Sequence, residues 1–146
     1  MKVEIVVDKN LKEKEIIIKT PEIDQESLDI KEKILANEME VLSGIYDDKL
    51  EIISPDDIIR IYAKDKKVYT VTDEKTYLMK LPLYKIEDYL GYKNFVRISN
   101  SEIINLDKTK NFDFKYLGTI SCTMVNGDIC FVSRRAMKKV REILGV

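Results

Sequence analysis

The chain has 146 residues, with 25 Lys+Arg against 26 Asp+Glu, and it is 45% hydrophobic and 35% charged. That is enough apolar residue to bury one core and enough charge to solvate its surface. There is no histidine, and the only cysteines are Cys122 and Cys130. Ser-His-Asp and Cys-His nucleophile systems and Cys/His zinc cages are therefore excluded.

The five glycines (Gly44, Gly91, Gly118, Gly127, Gly145) are too far apart to form a phosphate-cradling loop. No apolar run approaches the roughly 18 residues that cross a bilayer, and the opening residues do not read as a signal peptide. The expectation is a cytoplasmic protein with no cofactor. The acidic residues Asp47, Asp48, Asp56 and Asp57 fall at turn positions, where Asp serves the backbone, so the chain is not expected to be an enzyme and no small-molecule substrate is expected.

In chain order, Val3, Ile5 and Val7 alternate with polar neighbours and predict a strand. Asp8-Lys9-Asn10 predicts a turn, Glu15 to Thr20 a second strand, and Pro21 its end. A helix is expected from Asp24 to about Leu42. It carries two apolar stripes, one of Leu28, Leu35, Met39 and Leu42 and one of Ile30, Ile34 and Val41. A second stripe is free either to pack within the chain or to hold a second subunit.

From Ile45 the pattern turns to short β segments. Strands are expected at Ile58 to Ala63, Val68 to Thr72, Thr76 to Lys80 and Phe95 to Ile98. A polar turn, Lys64-Asp65-Lys66-Lys67, joins the first two. A short helix spans Leu83 to Leu90, with Gly91 as its stop. Ser99-Asn100-Ser101-Glu102 is a polar junction before Ile103-Ile104, and further strands fall near Phe112 to Tyr116 and Thr119 to Val125.

Asn126-Gly127 is the preferred dipeptide of a two-residue type I′ hairpin turn. Such a turn sets Val125 against Asp128, Thr123 against Cys130 and Cys122 against Phe131. One face then carries Ile120, Cys122, Met124, Ile129 and Phe131. The two cysteines point to opposite faces, unable to bridge. Ser133 is placed to cap a last helix whose packed stripe is Ala136/Met137, Val140 and Ile143/Leu144, with Arg134 and Arg135 in its first turn. Cations there oppose the helix dipole, which suits an anionic partner nearby.

Charge divides the chain. Residues 1–44 hold 7 basic and 11 acidic residues, net −4, and residues 45–146 hold 18 basic and 15 acidic, net +3. Two sections with different work are expected: a front segment for dimerisation or regulation, and a basic domain over 45–146.

Over the second section the chain resembles the LytTR-type DNA-binding domains. The run Phe95-Val96-Arg97-Ile98-Ser99-Asn100-Ser101-Glu102-Ile103-Ile104-Asn105-Leu106-Asp107-Lys108 is similar to that family's central motif. The Asn126-Gly127 hairpin, Val132-Ser133-Arg134-Arg135 and Lys138-Lys139 resemble its C-terminal signature. Asp57-Ile58-Ile59-Arg60-Ile61 and the Leu83 to Leu90 helix resemble its opening.

The resemblance implies a mainly β fold with short helices (α+β). Its small antiparallel sheets would be preceded here by an N-terminal β-β-α segment. It also implies a transcriptional regulator that sends loops, rather than a recognition helix, into successive major grooves of double-stranded DNA. Carried over by position, those loops are Lys64-Asp65-Lys66-Lys67, Ser99-Asn100-Ser101 and Ser133-Arg134-Arg135. Members often carry a histidine in the first loop; in its absence Lys66 or Lys67 takes that place.

Asn100 and Arg135 suit base edges through bidentate pairs with adenine and guanine. Arg134 suits bases or phosphate. Lys64, Ser99, Ser101, Ser133 and Lys138 suit phosphate oxygens. The short front segment leaves no room for a doubly wound receiver. A stand-alone form is therefore expected, a homodimer is expected from the spare apolar stripe of the front helix, and a small membrane-protein partner is implied by family association. The competing reading is a protein-interaction module that uses the N-terminal helix and the basic C-terminal surface.

Overall fold

In the computed structural model the described residues are 1–36, 41–91, 93–114 and 118–146. After an extended stretch come α1 (Gln25–Ala36), β1 (Leu42–Tyr46), β2 (Lys49–Ile53), β3 (Ile58–Lys64), β4 (Lys67–Thr72) and β5 (Thr76–Met79). They are followed by α2 (Leu83–Leu90), β6 (Phe95–Ser99), β7 (Glu102–Asn105), β8 (Thr109–Asp113), β9 (Ile120–Met124), β10 (Ile129–Val132) and α3 (Met137–Leu144). The strands form a seven-stranded sheet, β2-β1-β5-β4-β3-β7-β6, and a three-stranded sheet, β10-β9-β8, with the paired strands antiparallel. The expected mainly β fold with short helices is what the chain adopts.

Strand alternation on the large sheet separates two cores. On one face Leu42, Ile53, Ile61, Tyr77, Met79 and Ile103 pack with Leu83, Ile86 and Leu90 of α2. On the other, Ile59, Val96, Ile98 and Ile104 meet Ile120, Cys122, Met124, Cys130 and Val132 of the small sheet and Val140 of α3. A bulge between Ile58 and Arg60 sends two successive residues toward the small sheet. Ile59 enters the second core, while Arg60 Nε reaches Asp128 Oδ2 at 2.8 Å. That hydrogen bond holds the Asp128 carboxyl below the usual carboxylate range. The Arg60 guanidinium also lies 4.5 Å from the centre of the Tyr62 ring, so one side chain ties the two sheets together.

Several sequence expectations are corrected. Val3 to Val7 and Glu15 to Thr20 form no strand here; both lie exposed and unpaired. Alternation supplies a preference, but a strand also needs a partner for its backbone. The first helix ends by Ala36 among the described residues, and Leu42 is a fully buried residue of β1 rather than part of a helical stripe. Met39 lies outside the described residues. Gly91 does cap α2 but with a right-handed φ of −59°, so its freedom to turn left-handed is not used. The strand expected near Phe112 to Tyr116 begins earlier, at Thr109, and ends at Asp113; Tyr116 lies outside the described residues.

The hairpin register is off by one residue from the type I′ expectation. Cys130 pairs with Cys122, Ile129 with Thr123 and Phe131 with Ser121. Gly127 N–H donates to Met124 O at 2.9 Å and Met124 N–H to Asp128 O at 2.8 Å. Of the turn residues only Gly127 has a positive φ, +90°. This is a three-residue loop, a type I turn closed by a left-handed glycine bulge. The extra residue exchanges the faces: Cys130 and Val132 are buried, while Ile129 and Phe131 are 63% and 65% exposed.

The two thiols therefore face each other inside the second core as free cysteines, not on opposite faces. The hydrogen bond with Cys122, burial and the Glu102 carboxylate together push the Cys130 thiol up, away from the reactive thiolate.

Candidate nucleic-acid interface

Two type I′ turns do occur, at Asp47-Asp48 and Asp65-Lys66. Each joins strands directly paired on either side, and all four residues have positive φ, from 50° to 63°. The second is the first of the three expected loops. Lys64 and Lys67 face each other at its base and Lys66 stands at its tip, all three exposed. A lysine held left-handed at this position is strained. Lys66→Gly should raise stability by about 0.5–1 kcal/mol, read as an increase in Tm. The same change should weaken DNA association and lower its salt slope by about one. A residue of purely structural use would show only the first effect.

The second loop is the tight turn between β6 and β7. Arg97 on β6 builds it: Nε donates to Ser99 O at 2.7 Å, Nη2 donates to Asn100 O, and Nη1 pairs with Glu87 of α2 at 3.0 Å. Ser101 N–H donates to Ser99 Oγ at 3.2 Å, and the two hydroxyl oxygens are 3.4 Å apart. Ser99 and Ser101 thus shape the turn. The exposed Asn100 carboxamide makes no hydrogen bond among the described residues. A turn asparagine bound to its own backbone would not look like this.

The third loop precedes α3. Ser133 Oγ accepts from Ala136 N–H at 3.3 Å, and Ser133 O accepts from Ala136 and Met137 N–H. Ser133 therefore caps a turn of Arg134, Arg135 and Ala136. The regular helix starts only at Met137, so the two arginines lie ahead of it rather than in its first turn. Both are exposed, as is Lys138 on the opening turn of α3.

Backbone bonds set the three loops side by side. Ala63 N–H donates to Ser101 O at 2.8 Å, joining the second loop to the end of β3. Ser133 N–H donates to Ile98 O at 2.8 Å, joining the third to the end of β6. One end of the molecule thus gathers Lys64, Lys66, Lys67, Asn100, Arg134 and Arg135, with Lys138 close behind. None of these cations is in an ion pair among the described residues.

The opposite end differs. A cleft of about 520 Å³ there is lined by Tyr46, Arg60, Tyr62, Lys75, Asn126 and Asp128 among others. Its cations are already matched, Arg60 by Asp128 and Glu102 and Lys75 by Glu51. Cations not held in ion pairs are those free to take phosphate.

Arg97 was not singled out by the sequence. Its only mark there is a lone charge in an otherwise apolar strand, and its role depends on a partner ten residues away on α2.

The family described as the LytTr DNA-binding domain matches residues 48–145. A solved structure, the LytTr DNA-binding domain of a protein described as a methyl-accepting/DNA response regulator from Bacillus cereus, superposes with a TM-score of 0.69 at 27% identity. The match covers 73% of this chain and 97% of that one.

An uncharacterized HTH-type transcriptional regulator of Staphylococcus aureus (strain NCTC 8325) is 28% identical over 149 residues, covering 100% of this chain and 99% of its own. Another, from strain MSSA476, is 30% identical over 105 residues, covering 72% and 71%. No helix among the described residues is long and apolar enough to cross a membrane. The family model spans two thirds of the chain and the solved structure shares its fold, and the chain belongs to the LytTr DNA-binding domain family.

Proposed function

We propose that the protein is a sequence-specific transcriptional regulator that binds double-stranded DNA as a homodimer on repeated half-sites. The β3–β4, β6–β7 and β10–α3 turns read successive major grooves. Asn100 and Arg135 contact base edges, Arg134 a base or a phosphate, and Lys64, Ser99, Ser101, Ser133 and Lys138 the phosphate backbone, with Lys66 or Lys67 at the first turn's contact. The DNA-binding unit, read from the sequence as 45–146, takes in the whole of β1 from Leu42.

The observation that carries this reading is the gathering at one end of six cations around an asparagine, none of them in an ion pair and its carboxamide in no hydrogen bond among the described residues. Asparagine offers the donor and acceptor that adenine N7 and N6 require, and the flanking cations release counterions from phosphate.

Fluorescence anisotropy tests it, comparing DNA from the gene's own upstream region with a scrambled duplex over a salt series. Tight binding to the native duplex alone that persists near physiological salt is the expected result. Equal binding to both, lost steeply with salt, would reduce the site to a non-specific basic surface.

A further inference from the structure

The first 23 residues leave an unexplained surface. Val3, Ile5 and Val7 are between 81% and 91% exposed, and no strand of the described chain pairs with them. Such a segment carries unmatched backbone donors and acceptors along both edges, which makes it a template for another strand. An Asx turn follows, with Asn10 N–H on Asp8 Oδ1 at 2.9 Å. Folding the segment back through that turn onto Glu15 to Thr20 would still leave one of its edges open.

The sequence Lys2-Val3-Glu4-Ile5-Val6-Val7-Asp8 is complementary to itself when reversed, except that Glu4 meets the partner's Val6. With Ile5 on a two-fold axis, Lys2 faces the partner's Asp8, Val3 faces the partner's Val7 and Ile5 faces the partner's Ile5. Val3, Ile5 and Val7 then make one continuous apolar face, with the opposite charges on the other face. Lys2 and Glu4 already share a side, their charged atoms 3.7 Å apart.

Other registers are worse. A slip of one residue sets Val3 against Asp8 and Lys2 against Lys9, or loses the Lys2–Asp8 pair by setting Lys2 against Val7 and Glu4 against Ile5. A slip of two sets Glu4 against Asp8 or against Glu4. Parallel in-register pairing opposes every charge to its own kind. Isologous pairing about a two-fold axis is the arrangement a closed dimer requires.

We propose that residues 2–8 form the homodimer contact, an antiparallel strand pair with a second copy of this chain centred on Ile5. This rests on the dimeric part of the reading above and not on the DNA contacts. The contact is short, so the dimer forms at micromolar rather than nanomolar concentration.

Sedimentation velocity on the full chain tests it. The wild type should be dimeric at about 100 µM and Ile5→Lys monomeric, because two ammonium groups would then meet on the axis. Lys2→Glu should weaken the dimer about 2- to 30-fold through two symmetry-related pairs, and Lys2→Glu combined with Asp8→Lys should restore it. Ile5→Cys should form a disulfide-linked dimer under mild oxidation; the native thiols are buried and should not contribute.

A monomeric wild type at several hundred micromolar overturns the proposal, as does an unaffected dimer in Ile5→Lys. So does cross-linking through Ile17→Cys in place of Ile5→Cys, since Glu15 to Lys19 has a similar palindromic pattern around Ile17. All variants should bind a single half-site duplex with wild-type affinity. Loss of that binding in a chain that still dimerises would count against the DNA reading alone.

Discussion

Replacing Asn105 by leucine is expected to cost about 2–4 kcal/mol of folding stability, although the two side chains share the same branched heavy-atom skeleton. Asn105 is 3% exposed. Its Nδ2 donates to Ile58 O at 2.8 Å and its Oδ1 accepts from Asp107 N–H at 3.0 Å, capping the tight turn after β7. Leucine would strip a buried carbonyl of its donor, costing about 1–3 kcal/mol, and remove a cap, costing a further ~0.5–2 kcal/mol.

Asn105→Asp should do no better at neutral pH. It keeps the acceptor for Asp107 but turns a carboxylate oxygen toward the Ile58 carbonyl, and a buried charge set against another acceptor is costlier still. Urea denaturation read by circular dichroism measures both variants. A cost below about 0.5 kcal/mol for Asn105→Leu would mean that the bond to Ile58 does not anchor β7 across β3.

Asn100→Ala should do the reverse, leaving the unfolding midpoint unchanged and altering DNA recognition. The side chain is exposed and without a partner among the described residues, so its removal leaves none of them unsatisfied. If its carboxamide reads an adenine, the variant loses about 1–3 kcal/mol of binding to the preferred site, and the loss falls on one base position. Arg135→Ala should show the same pattern at a different position. Lys64→Ala should weaken binding to every sequence alike and flatten the salt dependence.

Binding measured against a set of duplexes, each with one base pair changed, separates the two kinds of effect. Sequence preferences unchanged in both Asn100→Ala and Arg135→Ala would remove these residues from base readout. The two asparagines lie five residues apart, and one reports on the fold while the other reports on the partner.

The sequence was most legible where local preference and tertiary packing agree. β3, β4, β5, α2 and β6 stand within a residue of their expected limits. In each, the alternation or helical spacing that marks the element also marks the face it buries, as with Leu83, Ile86 and Leu90.

Legibility failed where a local signal had a competing use. Asn126-Gly127 does make a turn, but Gly127 spends its left-handed conformation on a bulge, and that one residue exchanged the faces of β10. Val3 to Val7 alternates correctly, yet nothing among the described residues pairs with it. The resemblance located the three loops in the sequence. The side chain that shapes the second, Arg97, was not legible because its partners are backbone carbonyls and a glutamate on another element.

The first two loops are the tips of hairpins drawn from adjoining strands, in the order β4-β3-β7-β6. Neighbouring strands lie about 4.8 Å apart, so the two tips are held roughly 10 Å from each other by the sheet and not by the residues they display. The sheet acts as a ruler and the tips as interchangeable type. A substitution at Lys66 or Asn100 changes the letter without moving its neighbour. Under the proposed DNA reading, preference at one base position can then drift through single mutations while the others keep their place. A recognition helix, whose contacts all share one rigid axis, does not offer that independence.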